Sequence, residues 1–308
     1  MAEIALLFDE SNIVPEAVWS VVFTYLVDAQ SICDIQRTCR RTRFWKHDKL
    51  HKFKLDWVYN NVEEFLGDEG TAQLRNGSLT RIDLIKKNIG AEEAKAIAEA
   101  LKVNTSLTKI FLEKNNITDE GAKAIAEALK VNTSLTKICL DYNNIEDEGA
   151  KAIVNTSLTE ISLNCNNIED EGAKAIAKAL KVNTSLTKIY LGQNSIGDEG
   201  AKDLAEAFKV NTLLTVIHLG ENDIRDKGAK EIAEALKVNN SLTAMCLWDN
   251  DIGDEGAREL AEALRVNTSL TEINLTHNNI GDEGARELAA VERDDLRILT
   301  DYDYDFDN

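Results

Sequence analysis

The side chains best suited to metal binding or nucleophilic catalysis are few and widely spaced in this sequence of 308 residues. There are four histidines, and the five cysteines include no Cys-x-x-Cys pair: Cys33, Cys39, Cys139, Cys165 and Cys246. Metal and redox sites need ligands at short, regular spacing, and a phosphate-binding loop needs clustered glycines. Neither pattern is present. We therefore predict no catalytic residue, no metal ligand and no cofactor, so that the protein is not an enzyme.

An excess of acidic residues bears on which partners the protein can bind. The chain has 35 Lys and Arg against 54 Asp and Glu, which gives a net charge of -19. Such a surface repels nucleic acid and anionic membranes and favours a protein partner with a basic face. The alternative is that the acidic excess only keeps the chain soluble.

Two features bear on the compartment in which the protein works. The odd number of scattered cysteines indicates reduced thiols. The first residues meet an acid at Glu3 and lack the basic region of a signal peptide, and no apolar run approaches the about 18 residues of a membrane span. We expect a cytoplasmic or nuclear protein.

The strongest pattern is an internal repeat of the form SLTxIxL. Its first leucines lie 28 residues apart, except for one interval of 23: Leu79, Leu107, Leu135, Leu158, Leu186, Leu214, Leu242 and Leu270. Within one unit, Leu107 and Ile110 have the spacing of a short strand, whereas Ile125 and Leu129 have that of a helix. A single strand-loop-helix coil cannot bury its apolar face alone, so the units are predicted to stack on one another.

Three further residue types recur once per unit. The amide of a recurring asparagine is predicted to bond the loop backbone of its own and the next coil: Asn115, Asn143, Asn166, Asn194, Asn222, Asn250 and Asn278. A recurring aspartate is predicted to be the N-cap of its helix: Asp119, Asp147, Asp170, Asp198, Asp226, Asp254 and Asp282. A glycine two residues later, as at Gly121, is predicted to permit close helix approach.

The unit LxxIxLxxNxI followed by xDEGAxxIAxAL resembles the ribonuclease-inhibitor type of leucine-rich repeat, from about Leu79 to Ala290. The resemblance implies an α/β solenoid, a horseshoe with a parallel sheet on the concave face and helices on the convex face. We predict a leucine-rich-repeat domain over 49–308, with a degenerate cap over 49–78, eight repeats from 79 and an acidic cap over 291–308. Within that cap, Leu296 and Leu299 are predicted to add a strand.

Two copies depart from the common pattern. Lys87 replaces the recurring asparagine of the first copy, so its loop is expected to be looser or differently capped. The copy at 135–157 lacks five residues, so its helix is expected to be little more than one turn and to leave a notch on the convex face. A neutral deletion and a docking site are both open explanations.

Residues 12–46 lack the repeat pattern and resemble an F-box, through Val14, Pro15, Val18, Val22, Phe23, Tyr25, Leu26, Ile32, Ile35 and Trp45. We therefore predict a helical, F-box-like segment over 1–48. The resemblance implies that a Skp-type adaptor binds Pro15, Val18, Val22, Phe23, Leu26 and Ile32. The alternative is a helical cap over the first coil.

Alternate strand residues face the concave side, where the copies differ from one another. By contrast, one exposed helix column keeps its positive charge: Lys123, Lys151, Lys174, Lys202, Lys230, Arg258 and Arg286. This contrast predicts that the concave face binds the partner, with these contact residues: Phe111, Glu113, Asp141, Tyr142, Tyr190, His218, Glu221, Trp248 and Asp249. His218 and His277 are predicted to lie two coils apart, too far to share a metal.

Together these observations predict a protein-protein interaction module. The F-box resemblance implies the substrate receptor of an SCF-type ubiquitin ligase, with the substrate on the concave face. One alternative is a scaffold or inhibitor without a ligase role. A less favoured alternative is a GTPase activator similar to the Ran-type family; it is less favoured because Arg81 is the only arginine that we place on the concave face of the eight repeats. Outside its complex the protein is expected to be a monomer.

Overall fold

The computed structural model describes residues 79–154, 156–291 and 293–301. The chain divides into two units, Met1–Asp56 and Trp57–Asn308, and all of the described residues belong to the second. The F-box-like segment, the degenerate cap over 49–78 and residues 302–308 of the acidic cap lie outside the described residues. The predicted domain boundaries stay predictions.

Short strands in the described ranges form one parallel sheet of nine strands in chain order. They are β1 (Arg81–Asp83), β2 (Lys109–Phe111), β3 (Lys137–Cys139), β4 (Glu160–Ser162), β5 (Lys188–Tyr190), β6 (Val216–His218), β7 (Ala244–Cys246), β8 (Glu272–Asn274) and β9 (Arg297–Leu299). Equivalent residues pair directly, as Ile110 does with Ile138. The final strand, predicted at Leu296 and Leu299, is confirmed by β9.

Helices alternate with the strands over the same ranges. They are α1 (Ala91–Leu101), α2 (Asp119–Leu129), α3 (Asp147–Val154), α4 (Asp170–Leu180), α5 (Asp198–Phe208), α6 (Asp226–Leu236), α7 (Asp254–Val266) and α8 (Asp282–Ala289). We number the coils by their strands, so coil 2 comprises β2, the following loop and α2. None of the described helices is long and apolar enough to cross a membrane.

The core is a continuous apolar layer between the sheet and the helices. The central residue of each strand, such as Ile138, points into this layer, where Ile125 and Leu129 meet it from the helix side. All three side chains are at most 2 % exposed. Because each coil buries its apolar stripe against its neighbours, the chain folds as the predicted α/β solenoid of stacked coils.

The recurring asparagines join neighbouring coils, as predicted, but each reaches back to the preceding coil and not forward to the next. Asn115 Nδ2 donates to Leu112 O of its own coil and to Leu84 O of coil 1, both at 2.9 Å. Its Oδ1 accepts from Lys87 N at 2.9 Å and Ile89 N at 3.0 Å. The loop of coil 1 is therefore capped by Asn115, which explains how it closes without an asparagine of its own.

A second asparagine ladder, which the sequence analysis missed, runs along the ends of the helices. Asn132 Nδ2 donates to Leu101 O at 2.7 Å and to Asn104 O at 2.9 Å, and its Oδ1 accepts from Leu135 N at 2.8 Å. The same role falls to Asn211, Asn239 and Asn267. The recurrence of Val-Asn-Thr-Ser was the available signal, since a buried asparagine must bond its neighbours.

The prediction that each recurring aspartate caps its own helix is wrong. Asp170 is the first residue of α4, and the N-cap position, held by Glu169, makes no side-chain cap bond. Instead, Asp170 Oδ1 accepts from Gly197 N at 2.8 Å and Gly200 N at 2.9 Å, at the start of α5. The carboxylate already lies within the helix and projects sideways, so the free amides that it reaches belong to the next coil.

The shortened copy keeps more helix than predicted. α3 has 8 residues, or just over two turns, whereas α2 and α4 on either side have 11 each. The reason is that Val154 takes the buried position that Ala126 holds in α2, and it is fully buried. α3 is therefore three residues shorter than its neighbours, and Leu129 and Leu180 stay buried in the helices beside it.

Candidate functional site on the concave face

Four residues of each coil make up what we call the concave face: positions 1, 3, 5 and 6 counted from the first residue of the strand. Positions 3, 5 and 6 hold the predicted contact residues. Position 1 holds none of the predicted contact residues, although strand alternation places it on the same face. It reads Arg81, Lys109, Lys137, Glu160, Lys188, Val216, Ala244, Glu272 and Arg297.

Phe111, predicted as an aromatic anchor, lies between two cations. The Arg81 guanidinium carbon is 4.1 Å from the centre of the ring, and Lys137 Nζ is 5.6 Å from it. Lys137 also pairs with Glu160 of the next strand at 2.5 Å. Because a cation is attracted to the face of an aromatic ring, this part of the concave face presents positive charge around a partly exposed ring.

Asp141, predicted as an acidic contact, is held within the sheet. Its Oδ1 accepts from Ser162 Oγ at 2.6 Å and from Asn164 N at 2.9 Å. Asn164 Oδ1 in turn accepts from Gly192 N at 2.7 Å, so the network spans coils 3 to 5. The Asp141 carboxylate thus orders the middle of the concave face and keeps little free capacity for a partner.

The cysteines of the concave face are poorly suited to nucleophilic attack. Burial, with the nearby carboxylates of Asp141 and Glu113, raises the pKa of Cys139 far above its usual range. Burial also raises the pKa of Cys246 to about 11, and it raises the pKa of Cys165. A thiol must be deprotonated to attack, so at neutral pH these residues behave as small apolar side chains.

At two position-5 glycines, an aromatic ring from the following coil packs directly against the glycine backbone. A Cβ at Gly220 would overlap Trp248 Cδ1 and Nε1, and a Cβ at Gly192 would lie 2.5 Å from His218 Nδ1. The Trp248 indole therefore rests on the backbone of coil 6. His218 Nδ1 is buried without a hydrogen-bond partner in the described ranges, and burial lowers the pKa of His218, so the ring is neutral at pH 7.

The aromatic residues of the later coils form pairs. Tyr190 and His218 have ring centres 6.4 Å apart, and Trp248 meets His277 edge-on at 6.0 Å. Within the described part of the chain, no three His, Cys, Asp or Glu residues lie close enough to hold a metal ion. These rings offer contact area rather than coordination.

Position 6 has an unusual backbone conformation in coils 1 to 8. The φ angles there lie between 51° and 57°: Lys86, Lys114, Tyr142, Cys165, Gln193, Glu221, Asp249 and His277. Glycine adopts this left-handed region without strain, whereas a side chain there costs about 1 kcal/mol. Eight coils nevertheless carry a side chain at this position. One of these side chains, Tyr142, is 50 % exposed, and the centre of its ring lies 4.9 Å from Lys114 Nζ.

This architecture, a solenoid of coils that share one framework and vary on one face, defines a class of binding proteins. A family model described as Leucine Rich repeat matches residues 103–126, 131–154, 154–177, 182–205, 210–233, 238–261 and 266–289. These segments cover more than half of the sequence. The chain therefore belongs to the leucine-rich repeat family, and its repeats form a protein-protein interaction module.

Several solved structures are similar to this chain. One is described as Leiomodin-1 Actin-Binding Site 2, with 25 % identity, 48 % of this chain and 75 % of that chain covered, and a TM-score of 0.34. Another is the leucine-rich repeat domain of APL1B, with 16 % identity, 66 % and 52 % covered, and a TM-score of 0.39. A third is an internalin from Listeria monocytogenes, with 16 % identity, 79 % and 94 % covered, and a TM-score of 0.38. The comparison with curated proteins gave no match.

Proposed function

We propose that the protein is the substrate receptor of an SCF-type ubiquitin ligase, built on leucine-rich repeats of the ribonuclease-inhibitor type. The F-box-like residues of 12–46 would bind a Skp-type adaptor, and the concave face would hold a protein substrate. Such a receptor works in the cytoplasm or nucleus, as the reduced cysteines also favour. The protein itself performs no chemistry in this role; it brings a substrate to the enzyme.

The observation that carries the substrate half of the proposal is the contrast between the framework and the concave face. The asparagine ladders and buried leucines repeat from coil to coil, whereas the concave positions change in size, charge and aromatic character. Tyr190 and Trp248 are half-buried there and keep part of each ring open to solvent. Rigid aromatic rings of this kind contribute most to affinity in protein interfaces.

The full-length chain is expected to co-elute with a purified Skp-type adaptor in size-exclusion chromatography. Leu26→Glu with Ile32→Glu should abolish co-elution, because charges would replace apolar side chains of the F-box-like pattern. The matched control is Tyr190→Ala with Trp248→Ala. It alters the concave face and not the F-box-like segment, so it should co-elute like the wild type. Absence of adaptor binding by the wild-type chain would favour the scaffold alternative, which needs the concave face alone.

The same Tyr190→Ala, Trp248→Ala variant should lose substrate. We expect capture of proteins that are ubiquitylated in the presence of the wild-type receptor to fall at least about tenfold, since central aromatic residues each contribute roughly 2 kcal/mol to binding. The melting temperature should stay almost unchanged, because neither ring belongs to the buried core.

The control for that experiment truncates two exposed side chains on the helix side. Val210 and Val238 are 58 % and 57 % exposed. Val210→Ala with Val238→Ala removes apolar surface away from the concave face and should leave capture unchanged. A collapse of the melting temperature in the Tyr190 and Trp248 variant would instead mean that the two rings support the fold.

A further inference from the structure

Charge is unevenly distributed along the concave face. In coils 1 and 2 the concave positions carry four cations against two carboxylates: Arg81, Lys86, Lys109 and Lys114 against Asp83 and Glu113. In coils 6 to 9 they carry four carboxylates against one cation: Glu221, Asp249, Glu272 and Asp301 against Arg297. Coils 3 to 5 are balanced, with Lys137 and Lys188 against Asp141 and Glu160. The concave face of coils 1 and 2 is therefore positive, although the whole chain has a net charge of -19.

The charges at the two ends are available to a partner. Within the described ranges, none of the four cations of coils 1 and 2 forms an ion pair, and the same holds for Glu221, Asp249 and Glu272. On the helix side, by contrast, lysines pair with a glutamate three residues earlier, as Lys209 does with Glu206 at 2.6 Å and Lys237 with Glu234 at 2.6 Å. Many charges on the helix side are thus neutralised locally, whereas on the concave face Lys137 and Glu160 in the middle are paired and these charges toward the two ends are not.

Each end also has an aromatic ring with the matching electrostatic surroundings. At Phe111, Arg81 occupies a cation-π position and forms no ion pair within the described ranges, so the ring lies beside a group that can bind a carboxylate. Lys137, the second cation near the ring, is paired with Glu160. Trp248 rests on Gly220, and in the described part of the chain no cation lies over its ring. With Glu221 and Asp249 at the adjoining position of coils 6 and 7, the indole suits an incoming Arg or Lys.

From these observations we infer that the concave face binds a protein partner carrying an acidic cluster toward coils 1 and 2 and a basic cluster toward coils 6 and 7. The two clusters lie about 24 Å apart, which corresponds to five strand spacings between β2 and β7. This inference rests on the proposed role of the concave face as the substrate contact, and it names the chemistry of the substrate. It refines the expectation of a basic partner. Each end of the concave face needs a partner group of the opposite charge, so the partner must be acidic at one end and basic at the other.

Three synthetic peptides test the inference on the full-length protein. Each has three charged residues at either end of eight prolines, a polyproline rod that spans about 25 Å. The mixed rod has Glu at one end and Arg at the other, and the two comparison rods have Glu or Arg at both ends. By fluorescence anisotropy at about 50 mM salt, where screening is weak, the mixed rod is expected to bind about tenfold more tightly than either comparison rod.

Charge reversal on the protein provides the matched variants. Arg81→Glu with Lys109→Glu should make the all-Arg rod bind more tightly than the mixed rod. The control, Lys178→Glu with Lys181→Glu, makes the same change in net charge on exposed residues of the helix side and should preserve the preference for the mixed rod. Equal binding of the three rods by the wild type, or tightest binding of the all-Arg rod, would overturn the inference.

Its failure is separable from failure of the proposed function. If the rods do not discriminate while substrate capture still depends on Tyr190 and Trp248, the concave face is the contact surface and only its inferred polarity is wrong. If capture does not depend on those rings, the proposed contact surface itself is wrong, whatever the rods show.

Discussion

Replacing Asn143 by aspartate is expected to lower the free energy of unfolding by about 4 kcal/mol, because it leaves an uncompensated charge buried among acceptors. Asn143 is 6 % exposed. Its Nδ2 donates to Leu140 O at 2.9 Å and to Leu112 O at 3.0 Å, and its Oδ1 accepts from Ile117 N at 2.9 Å. Aspartate has the same shape but places a carboxylate oxygen against two carbonyl oxygens. Urea unfolding followed by circular dichroism measures the loss.

The control for this prediction is one residue away. Asn144 is exposed, so Asn144→Asp should change stability by less than about 0.5 kcal/mol, as surface substitutions usually do. Burial raises the pKa of a carboxyl group. The folded Asn143→Asp variant therefore binds a proton at a pH where its unfolded chain does not, and its deficit relative to the Asn144→Asp variant should shrink as the pH falls. Equal stability of the two variants would contradict the assigned role of the ladder.

A second large effect is expected from Gly200→Ala in α5. Alanine within a helix normally stabilises it by about 0.5–1 kcal/mol relative to glycine, but here we expect a loss of about 3 kcal/mol from overpacking. A Cβ at Gly200 would lie 2.6 Å from Asp170 Oδ1 and 2.9 Å from both Ala173 Cβ and Ile196 Cγ2. Moving Asp170 aside would also break its bonds to the start of α5. Thermal unfolding gives the sign and the size of the change.

Gly197 supplies the comparison, because it precedes the same helix and contacts the same aspartate. A Cβ there would lie 3.4 Å from the Asp170 carboxylate oxygens, which is an ordinary contact, and the φ angle of -95° suits any residue. We therefore expect Gly197→Ala to cost about 1 kcal/mol or less, the usual range for an altered N-cap. If Gly200→Ala were tolerated as well as Gly197→Ala, α4 and α5 would have room for a Cβ at Gly200, and the glycine would not be needed for their close packing.

Periodicity in the sequence was enough to predict most of the fold. Leu107 and Ile110 mark a strand and Ile125 and Leu129 a helix because apolar residues follow the period of the element that buries them. The length of α3 was harder to predict. Deletion of five residues brought Val154 into a core position. The helix therefore extends to Val154 and has 8 residues, more than the single turn or so expected from the number of residues lost.

What the sequence could not reveal is which neighbouring coil a given side chain contacts. Whether Asp170 bonds its own helix or the next depends on the offset between stacked helices, which no local pattern encodes. The seat of Trp248 on Gly220 and the cations around Phe111 likewise join residues about one repeat apart. Position 1 of the concave face is different: strand alternation alone would have found it, and with it the positive charge of coils 1 and 2.

The backward reach of the asparagine ladder has a consequence for synthesis on the ribosome. The loop amide of Ile117 is bonded by Asn143, and that of Ile196 by Asn222, in each case 26 residues downstream. A nascent coil therefore keeps an open loop until its successor has emerged from the exit tunnel. A later residue also completes coil 8. The His277 amide donates to the carboxylate of Asp301 at 2.8 Å, whereas the equivalent amide of coil 7, that of Asp249, donates to the backbone oxygen of Thr276. Translation must reach Asp301 before this last amide has its partner.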